Sequence, residues 1–320
     1  MEPSTGVIEY HSLDVWNWMT GQFIKRIEPP RSSLMNFVPF DGIYVLVITR
    51  HSTLCIHIYS LAPAAPNHAV CALEFPDDIA RKFPFSCQIS TGEHPASSRG
   101  HFRADSSLSM VSITVYTEDY IQYEYASIFL IPHATILAHI QEAESYQLHG
   151  LGDDPIEPRE TAIRVPWAYW GPGGCLRLRL QELPCRSSYM SLLPSGSRAP
   201  VVPFRASNFW ETIDSFFVFD VNPLAARHAK QLLRERRRDQ AQSDLEGTTI
   251  VEDVEAALPG VVDPECSAIP YVVYRFKIPA CSTHLGSTER TIRAVEMGMT
   301  GFTVQFDGVS FEESLQTWTV

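Results

Sequence analysis

Apolar and polar residues alternate with a period of two in many short segments, and this pattern constrains the fold of the chain more than any other feature. In "TLCIHIYSL", Leu54, Ile56 and Ile58 fall on one face, and "SMVSITVYT", "CLRLRL", "YVVYRFKI" and "GFTVQF" repeat the alternation. A β-strand with one buried face requires it, whereas a helix would scramble it. "GIYVLVIT" and "SFFVFDV" are apolar on both faces, which is typical of central strands between packed layers. The chain is therefore predicted to be mainly β.

Clusters of Pro, Gly, Ser and Asp separate these segments, as in "EPPRSS", "LAPAAPNH" and "LLPSGSRAP", and they are predicted to be turns and surface loops. About twenty strand candidates at four per sheet make roughly five blades of a β-propeller. A two-sheet sandwich is the competing architecture, although 320 residues is long for one. We predict an all-β fold over residues 1–320, as a single domain built as a divergent or incomplete β-propeller of roughly five four-stranded blades.

One or two short helical insertions interrupt the predicted sheets. "FLIPHATILAHIQEAESY" reads as a strand that runs into a short helix after Pro132. "NPLAARHAKQLLRERRRDQAQ" is a stronger signal, because Asn222 can cap a helix and Pro223 suits its first turn. The sequence that follows is polar and acidic. We therefore predict a helical or flexible insertion over about residues 222–265.

The charge and composition exclude several classes of partner and location. A net charge of −12 argues against nucleic acid or an anionic membrane as the main partner, because both would repel the chain. No apolar run reaches the roughly 18 residues of a membrane-spanning helix, and the first residues do not resemble a secretory signal. Seven scattered cysteines without C-x-x-C spacing indicate reduced thiols in a cytoplasmic or nuclear protein. These cysteines are Cys55, Cys71, Cys87, Cys175, Cys185, Cys266 and Cys281.

The sequence holds no motif that indicates catalysis. "GPGG" at Gly171 lacks the Lys-Ser/Thr partner and the following helix of a phosphate-binding loop. Neither a G-x-S-x-G elbow nor an H-E-x-x-H pair occurs. His133 and His139 lack metal-ligand spacing, and Glu142 and Glu144 resemble an exposed helix turn. We predict that the protein is not an enzyme and that it uses no cofactor and no metal.

Two tryptophan pairs are candidate structural aromatics. In "VWNWMTG", Trp16 and Trp18 lie two residues apart, so they share one strand face and are expected to fill a gap between packed sheets. In "PWAYWGPGG", Trp167 and Trp170 are expected to brace a turn against a sheet. The alternatives are ligand stacking for the first pair and a surface anchor for a protein partner for the second.

The basic run "RHAKQLLRERRRD" is the candidate partner-binding surface of this otherwise acidic chain. It would serve as a nuclear-import patch or as a docking site for an acidic protein. The alternative is a solvated helix face that Glu235 and Asp239 partly neutralise. The basic residues of this surface are Arg227, Lys230, Arg234, Arg236, Arg237 and Arg238.

Four strings occur in an order that resembles fungal F-box-like proteins, whose C-terminal module is a divergent, WD-like β-propeller region. The family's strings are a V-W-x-W-x-T-G hairpin, a V-P-W-x-x-W-G-P turn, a D-x-N-P stretch and a final L-P-Y segment. The matching residues are Val15, Trp16, Trp18, Thr20 and Gly21 in the first, Val165, Pro166, Trp167, Trp170, Gly171 and Pro172 in the second, Asp220, Asn222 and Pro223 in the third, and Pro270 and Tyr271 in the last, where Ile269 replaces the leucine.

The resemblance implies a non-catalytic protein-interaction module that serves as the substrate-receptor part of an SCF-type ubiquitin ligase. In such families a short helical F-box upstream of the propeller binds the Skp adaptor. Here no Leu/Pro-rich helical segment precedes the first hairpin, so the adaptor contact is expected only by analogy. The alternatives are a stand-alone scaffold that has lost its F-box and, from another class, a propeller-type hydrolase or glycan binder. The expected partner is a protein of unknown identity.

Overall fold

Strands predominate in the computed structural model of the chain. The structure describes residues 12–17, 19–29, 33–50, 53–80, 83–92, 108–118, 124–149, 162–183, 191–201, 215–239, 248–277, 291–297, 301–307 and 314–319. The strands are β1 (Leu13–Asn17), β2 (Gln22–Ile27), β3 (Ser33–Phe40), β4 (Tyr44–Arg50), β5 (Leu54–Ser60), β6 (Cys71–Glu74), β7 (Phe83–Thr91), β8 (Met110–Glu118), β9 (Glu124–Pro132), β10 (Ile163–Val165), β11 (Leu176–Leu183), β12 (Ser191–Leu193), β13 (Arg198–Val201), β14 (Ser215–Asp220), β15 (Thr248–Ile250), β16 (Val272–Lys277), β17 (Thr291–Met297), β18 (Gly301–Asp307) and β19 (Ser314–Thr319). The helices are α1 (Asp77–Ala80), α2 (His133–His149), α3 (Trp167–Gly174), α4 (Pro223–Asp239) and α5 (Val254–Ala257), and a 3₁₀ turn covers Pro264–Cys266.

Within the described residues these strands form five sheets. Their strand orders are β1-β2, β10-β6-β5-β4-β3, β11-β9-β8-β7, β12-β17-β18-β19 and β13-β14-β16-β15. Chain neighbours such as β3 and β4 or β8 and β9 pair antiparallel, whereas β10 joins β6 and β12 joins β17 in parallel. The prediction of a mainly β chain is confirmed.

Cα packing distinguishes two compact units within the predicted single domain of residues 1–320. One unit comprises Met1–Ile89 and Ile136–Gly171, and the other comprises Ser90–Thr135 and Pro172–Val320. The first holds the β1–β2 hairpin and the five-stranded sheet. The second holds β8, β9 and β11 and the two sheets built from β12 to β19.

The core of the first unit lies on β4 and β5, which are buried along almost their whole length. Burial on both faces of β4 agrees with the pattern of "GIYVLVIT". For β5 the sequence predicts one buried face, yet Cys55, His57 and Tyr59 on the opposite face are buried as well. One buried cluster joins the sheet to the hairpin, and it consists of Ile27, Leu34, Val45, Val47, Tyr59 and Ala69, with Leu13, Val15, Leu61 and Ala162 packed against it.

The core of the second unit includes β14, whose six residues are all buried. Phe216 stacks on Phe276 of β16, with ring centroids 5.2 Å apart. The D-x-N-P string ends this strand and begins α4. The Asp220 carboxylate accepts hydrogen bonds from the Ser197 hydroxyl at 2.7 Å and from the Asn222 amide at 2.9 Å, while the Asn222 side chain accepts one from the Leu224 amide at 2.9 Å. These bonds satisfy a buried carboxylate and cap the helix.

Helices occupy more of the chain than the predicted one or two short insertions. Helices α2 and α4 have 17 residues each, and α3 has 8 residues where a turn was expected. The predicted insertion over residues 222–265 is helical at its start, as α4. Its later part belongs to the sheet framework, because β15 pairs with β16 and Asp263 donates its backbone N–H to the carbonyl of Arg177 in β11.

Acid should destabilise the fold through His57. Burial, reinforced by the charge of Arg164, lowers the pKa of His57 from 6.5 to about 4. In the unfolded chain His57 is protonated below about pH 6.5, whereas in the folded chain it is protonated only below about pH 4. The free energy of unfolding therefore decreases as the pH falls through this window, by up to about 3 kcal/mol. His57→Gln should flatten this pH dependence in urea unfolding curves.

The exposed His228 on α4 supplies the matched control. His228→Gln should retain the acid loss of the unmodified chain. An equally steep pH dependence in His57→Gln would assign the acid loss to other groups.

Candidate functional site

The β1–β2 hairpin carries several large apolar side chains that are exposed to solvent. Trp16 pairs with Phe23 across the strands, and a register shift between Val15 and Trp16 marks a bulge. Their rings meet edge to face, with centroids 5.1 Å apart. Trp16 is 57% exposed and Phe23 is 45% exposed. Met19 in the adjoining turn is 72% exposed. We call these three residues the hairpin tip.

The turn of the hairpin explains the Asn and Gly of its sequence. The Asn17 carboxamide accepts hydrogen bonds from the amides of Met19 at 3.0 Å and Thr20 at 3.2 Å. Gly21 adopts φ of 67° and donates its amide to the Asn17 carbonyl at 2.7 Å. Glycine accepts this left-handed conformation without steric cost, and asparagine closes the turn through its side chain. The local sequence therefore holds the tip in one geometry.

The other end of the hairpin is anchored to the core. Leu13 and Val15 pack against the buried cluster of the first unit, and Ile27 belongs to it. Lys25 is buried among carbonyl groups, and its Nζ donates to Ser60 O at 3.1 Å and to Pro66 O at 2.6 Å. Burial lowers the pKa of Lys25. The base of the hairpin is therefore fixed to the core, and its turn extends beyond the core.

The structure corrects the interpretation of Trp16 as a filler between packed sheets. Leu13 and Val15 face the buried cluster, whereas Trp16 alternates to the opposite face of β1 and is exposed with Asp14. The extra residue of the bulge is Ile24 of β2, between Lys25, which pairs with Val15, and Phe23, which pairs with Trp16. Trp18 lies outside the described residues, so its predicted role stays a prediction.

The second tryptophan pair lies on α3, where the sequence predicts a turn, and Trp170 is the member that contacts the sheet. Trp170 is buried, its indole N–H donates to the carbonyl of Glu74 at 2.9 Å, and its ring meets the half-buried Trp167 edge to face at 4.9 Å. The pair stands at i and i+3 on α3 rather than on a turn, which places both rings on one helix face. On the same helix Tyr169 is 80% exposed.

Gly171 follows Trp170 because the Trp167 ring occupies the space of a side chain. A Cβ at Gly171 would overlap the six-membered ring of Trp167. At Gly173, two residues further along α3, a Cβ would have no heavy atom within 4 Å. The W-x-x-W-G spacing is therefore a packing motif, in agreement with the rejection of "GPGG" as a phosphate loop.

The structure describes the side chains of only part of the basic surface predicted on α4. Arg227, Lys230 and Arg234 are exposed, while Ala226 and Ala229 bury the opposite face. Arg236, Arg237 and Arg238 belong to the last turns of the same helix. The exposed positions fit the solvated face that the sequence allows, and their use as a docking surface stays a prediction.

One buried polar cluster was missed by sequence reasoning. Alternation in "CLRLRL" predicts that Arg177 faces solvent, yet Arg177 is buried. Its guanidinium lies 5.5 Å from the centre of the Phe129 ring and 3.2 Å from the carboxylate of buried Asp263, which Arg179 also contacts at 2.7 Å. Residues 261–263 pair with the edge of β11 and bring Asp263 beside Arg177, and strand periodicity contains no signal for such a pairing.

Comparisons with known proteins assign this chain to no family. No protein-family model matches it, and no curated protein matches it. The similarity to fungal F-box-like proteins therefore stays a prediction. Over the described ranges, no three His, Cys, Asp or Glu side chains are grouped to hold a metal ion. No helix in the described part of the chain is long and apolar enough to cross a membrane.

Gly171→Ala should destabilise the chain by about 1–3 kcal/mol, because the new methyl group forces the Trp167 ring from its packed position. Gly173→Ala is the matched control, and it should change stability by less than about 0.5 kcal/mol. Urea unfolding followed by tryptophan fluorescence measures both. Equal stability of the two variants would show that the ring yields without cost.

Proposed function

We propose that this chain is a non-catalytic protein-interaction module whose partner binds the hairpin tip. The observation that carries the proposal is the exposure of Trp16, Met19 and Phe23 together on a hairpin whose base is fixed to the core. Clustered apolar side chains that stay in solvent mark interaction surfaces. Tryptophan is among the residues that most often dominate binding energy, and methionine adapts to irregular partner surfaces.

The rigidity of the hairpin supports binding as much as its composition does. The Asn17 turn and the Lys25 hydrogen bonds restrain the backbone, and Arg26 forms a two-point ion pair with Asp14 at 2.6 and 2.8 Å. A partner that covers the tip therefore orders little of the chain on binding. This lowers the entropic cost of association and leaves more of the apolar burial as affinity.

For the architecture we propose the divergent or incomplete β-propeller of roughly five blades. Five sheets in the described residues, three of them four-stranded, support it. A rigid set of blades would hold variable loops at one rim for recognition. An experimental structure with the sheets arranged around a central axis is the expected result, and a face-to-face sandwich would contradict it.

We further propose that the module serves as the substrate-receptor part of an SCF-type ubiquitin ligase in the cytoplasm or nucleus. The ordered strings shared with F-box-like proteins support this role, and the exposed tip is compatible with it. Co-precipitation of the Skp adaptor with the longest natural form of the protein tests it. Failure to bind the adaptor would favour a stand-alone scaffold and would leave the hairpin proposal intact.

The combined variant Trp16→Ala/Phe23→Ala should lose partner binding while the fold stays intact. Removal of two exposed anchors is expected to weaken affinity at least tenfold each, whereas the loss of half-exposed side chains changes stability little. Affinity capture with quantitative mass spectrometry would identify proteins that the variant loses. Calorimetry with each purified candidate then gives the change in Kd.

Tyr169→Ala is the matched control, because Tyr169 is an exposed aromatic on a different element, α3. It should retain the proteins that the hairpin variant loses. Loss of the same proteins from both variants, or from neither, would contradict recognition by the hairpin tip. If Glu substitutions at Arg227, Lys230 and Arg234 alone abolish capture, the basic surface of α4 is the docking site.

A further inference from the structure

Two cysteines that are distant in sequence meet beside β11. Cys175 immediately precedes the strand, and Cys266 ends the 3₁₀ turn. Leu178 bridges to Val262, and the Asp263 amide donates to the Arg177 carbonyl at 2.9 Å, so the turn lies antiparallel along β11. This antiparallel register places Cys175 beside Cys266, and both side chains are buried.

The surroundings make the two thiols unequal. Hydrogen bonding from the Cys175 thiol lowers the pKa of Cys266 against burial and the Asp263 charge, which both raise it, and the Arg177 guanidinium adds a smaller lowering effect. The same hydrogen bond, with burial, raises the pKa of Cys175 well above its usual range. Burial likewise raises the pKa of Cys55, of Cys87 and, to about 12, of Cys71. Among the described cysteines, Cys266 is the one with a lowered pKa.

We propose that Cys175 and Cys266 form a redox-active dithiol that a small peroxide converts reversibly to a disulfide. The backbone pairing that brings the two cysteines side by side carries the proposal, and it is independent of the proposed partner binding. Each of the other described cysteines lies within a strand core, whereas this pair joins a strand to a separate turn. The pair is therefore positioned to cross-link two segments of the chain.

The chemistry balances with peroxide as the oxidant. The Cys266 thiolate attacks one peroxide oxygen, the O–O bond breaks, and hydroxide leaves, which gives a sulfenic acid on Cys266. The Cys175 sulfur then attacks the Cys266 sulfur, the S–O bond breaks, and the thiol proton leaves with the hydroxide as water. In sum two thiols lose two electrons and two protons, and one hydrogen peroxide becomes two waters. A molecule about as small as water reaches a buried site through local opening of the turn.

The disulfide should stabilise the oxidised chain. It would fasten the 3₁₀ turn to the start of β11 and close a long loop, which reduces the conformational freedom of the unfolded state. The thermal midpoint of the oxidised chain should therefore rise by at least about 3 °C and return after treatment with dithiothreitol.

The test uses the full chain treated with hydrogen peroxide. Free thiols are then alkylated under denaturing conditions, and the cysteine peptides are mapped by mass spectrometry before and after reduction. The expected result is a Cys175–Cys266 cross-linked peptide that reduction removes. Free thiols at both positions after oxidation of exposed methionines, or a cross-link of Cys266 to any other cysteine, would overturn the proposal.

Serine variants separate the roles of the two sulfurs. In Cys175→Ser the sulfenic acid on Cys266 has no resolving thiol, so dimedone should label Cys266. Cys266→Ser should show neither cross-link nor label at Cys175, and Cys87→Ser, at a buried cysteine elsewhere, should form the cross-link as the unmodified chain does. Labelling of Cys175 in Cys266→Ser to the same extent as of Cys266 in Cys175→Ser would contradict the assigned order of attack.

Discussion

The packing of the β1–β2 hairpin on β4 and β5 is the contact on which the proposed binding surface depends. Leu13, Val15 and Ile27 bury the inner face of the hairpin against strands that are themselves buried on both faces. An isolated two-stranded hairpin is marginally stable in water, so this burial is what keeps the β1–β2 hairpin rigid. Because Trp16 lies on the opposite face of β1, the same packing that fixes the base of the hairpin leaves its tip in solvent.

Buried carboxylates play the corresponding part in the second unit. Asp220 joins β13, the end of β14 and the first turn of α4, and Asp263 joins β11 to the turn that carries Cys266. A buried carboxylate without partners would cost several kcal/mol, so each one restricts its neighbours to positions that satisfy it. The position of the basic helix and the meeting of Cys175 with Cys266 both follow from such restrictions.

Particular residues show which features of the structure the sequence predicts and which it does not. The two-sided strands β4 and β14 and the capping by Asn222 follow from local pattern, because each is visible in residues within a few positions of one another. For Trp16, Arg177 and His57 the sequence pattern predicts the wrong degree of exposure to solvent. Their exposure depends on segments far along the chain that cover one strand face and leave another open, and periodicity records which residues share a face but not what lies above it.

The sequence by itself determined that the chain forms strands, where its turns fall and how α4 begins, since spacing, Gly and Asn conformations and capping are local properties. Tertiary structure alone decided that Trp16 and Phe23 stay exposed on the hairpin, that the Trp167 ring packs on Gly171 within a helix, and that two cysteines become neighbours. These outcomes depend on which surfaces meet, because burial and hydrogen-bond satisfaction are shared among segments that the sequence does not place side by side.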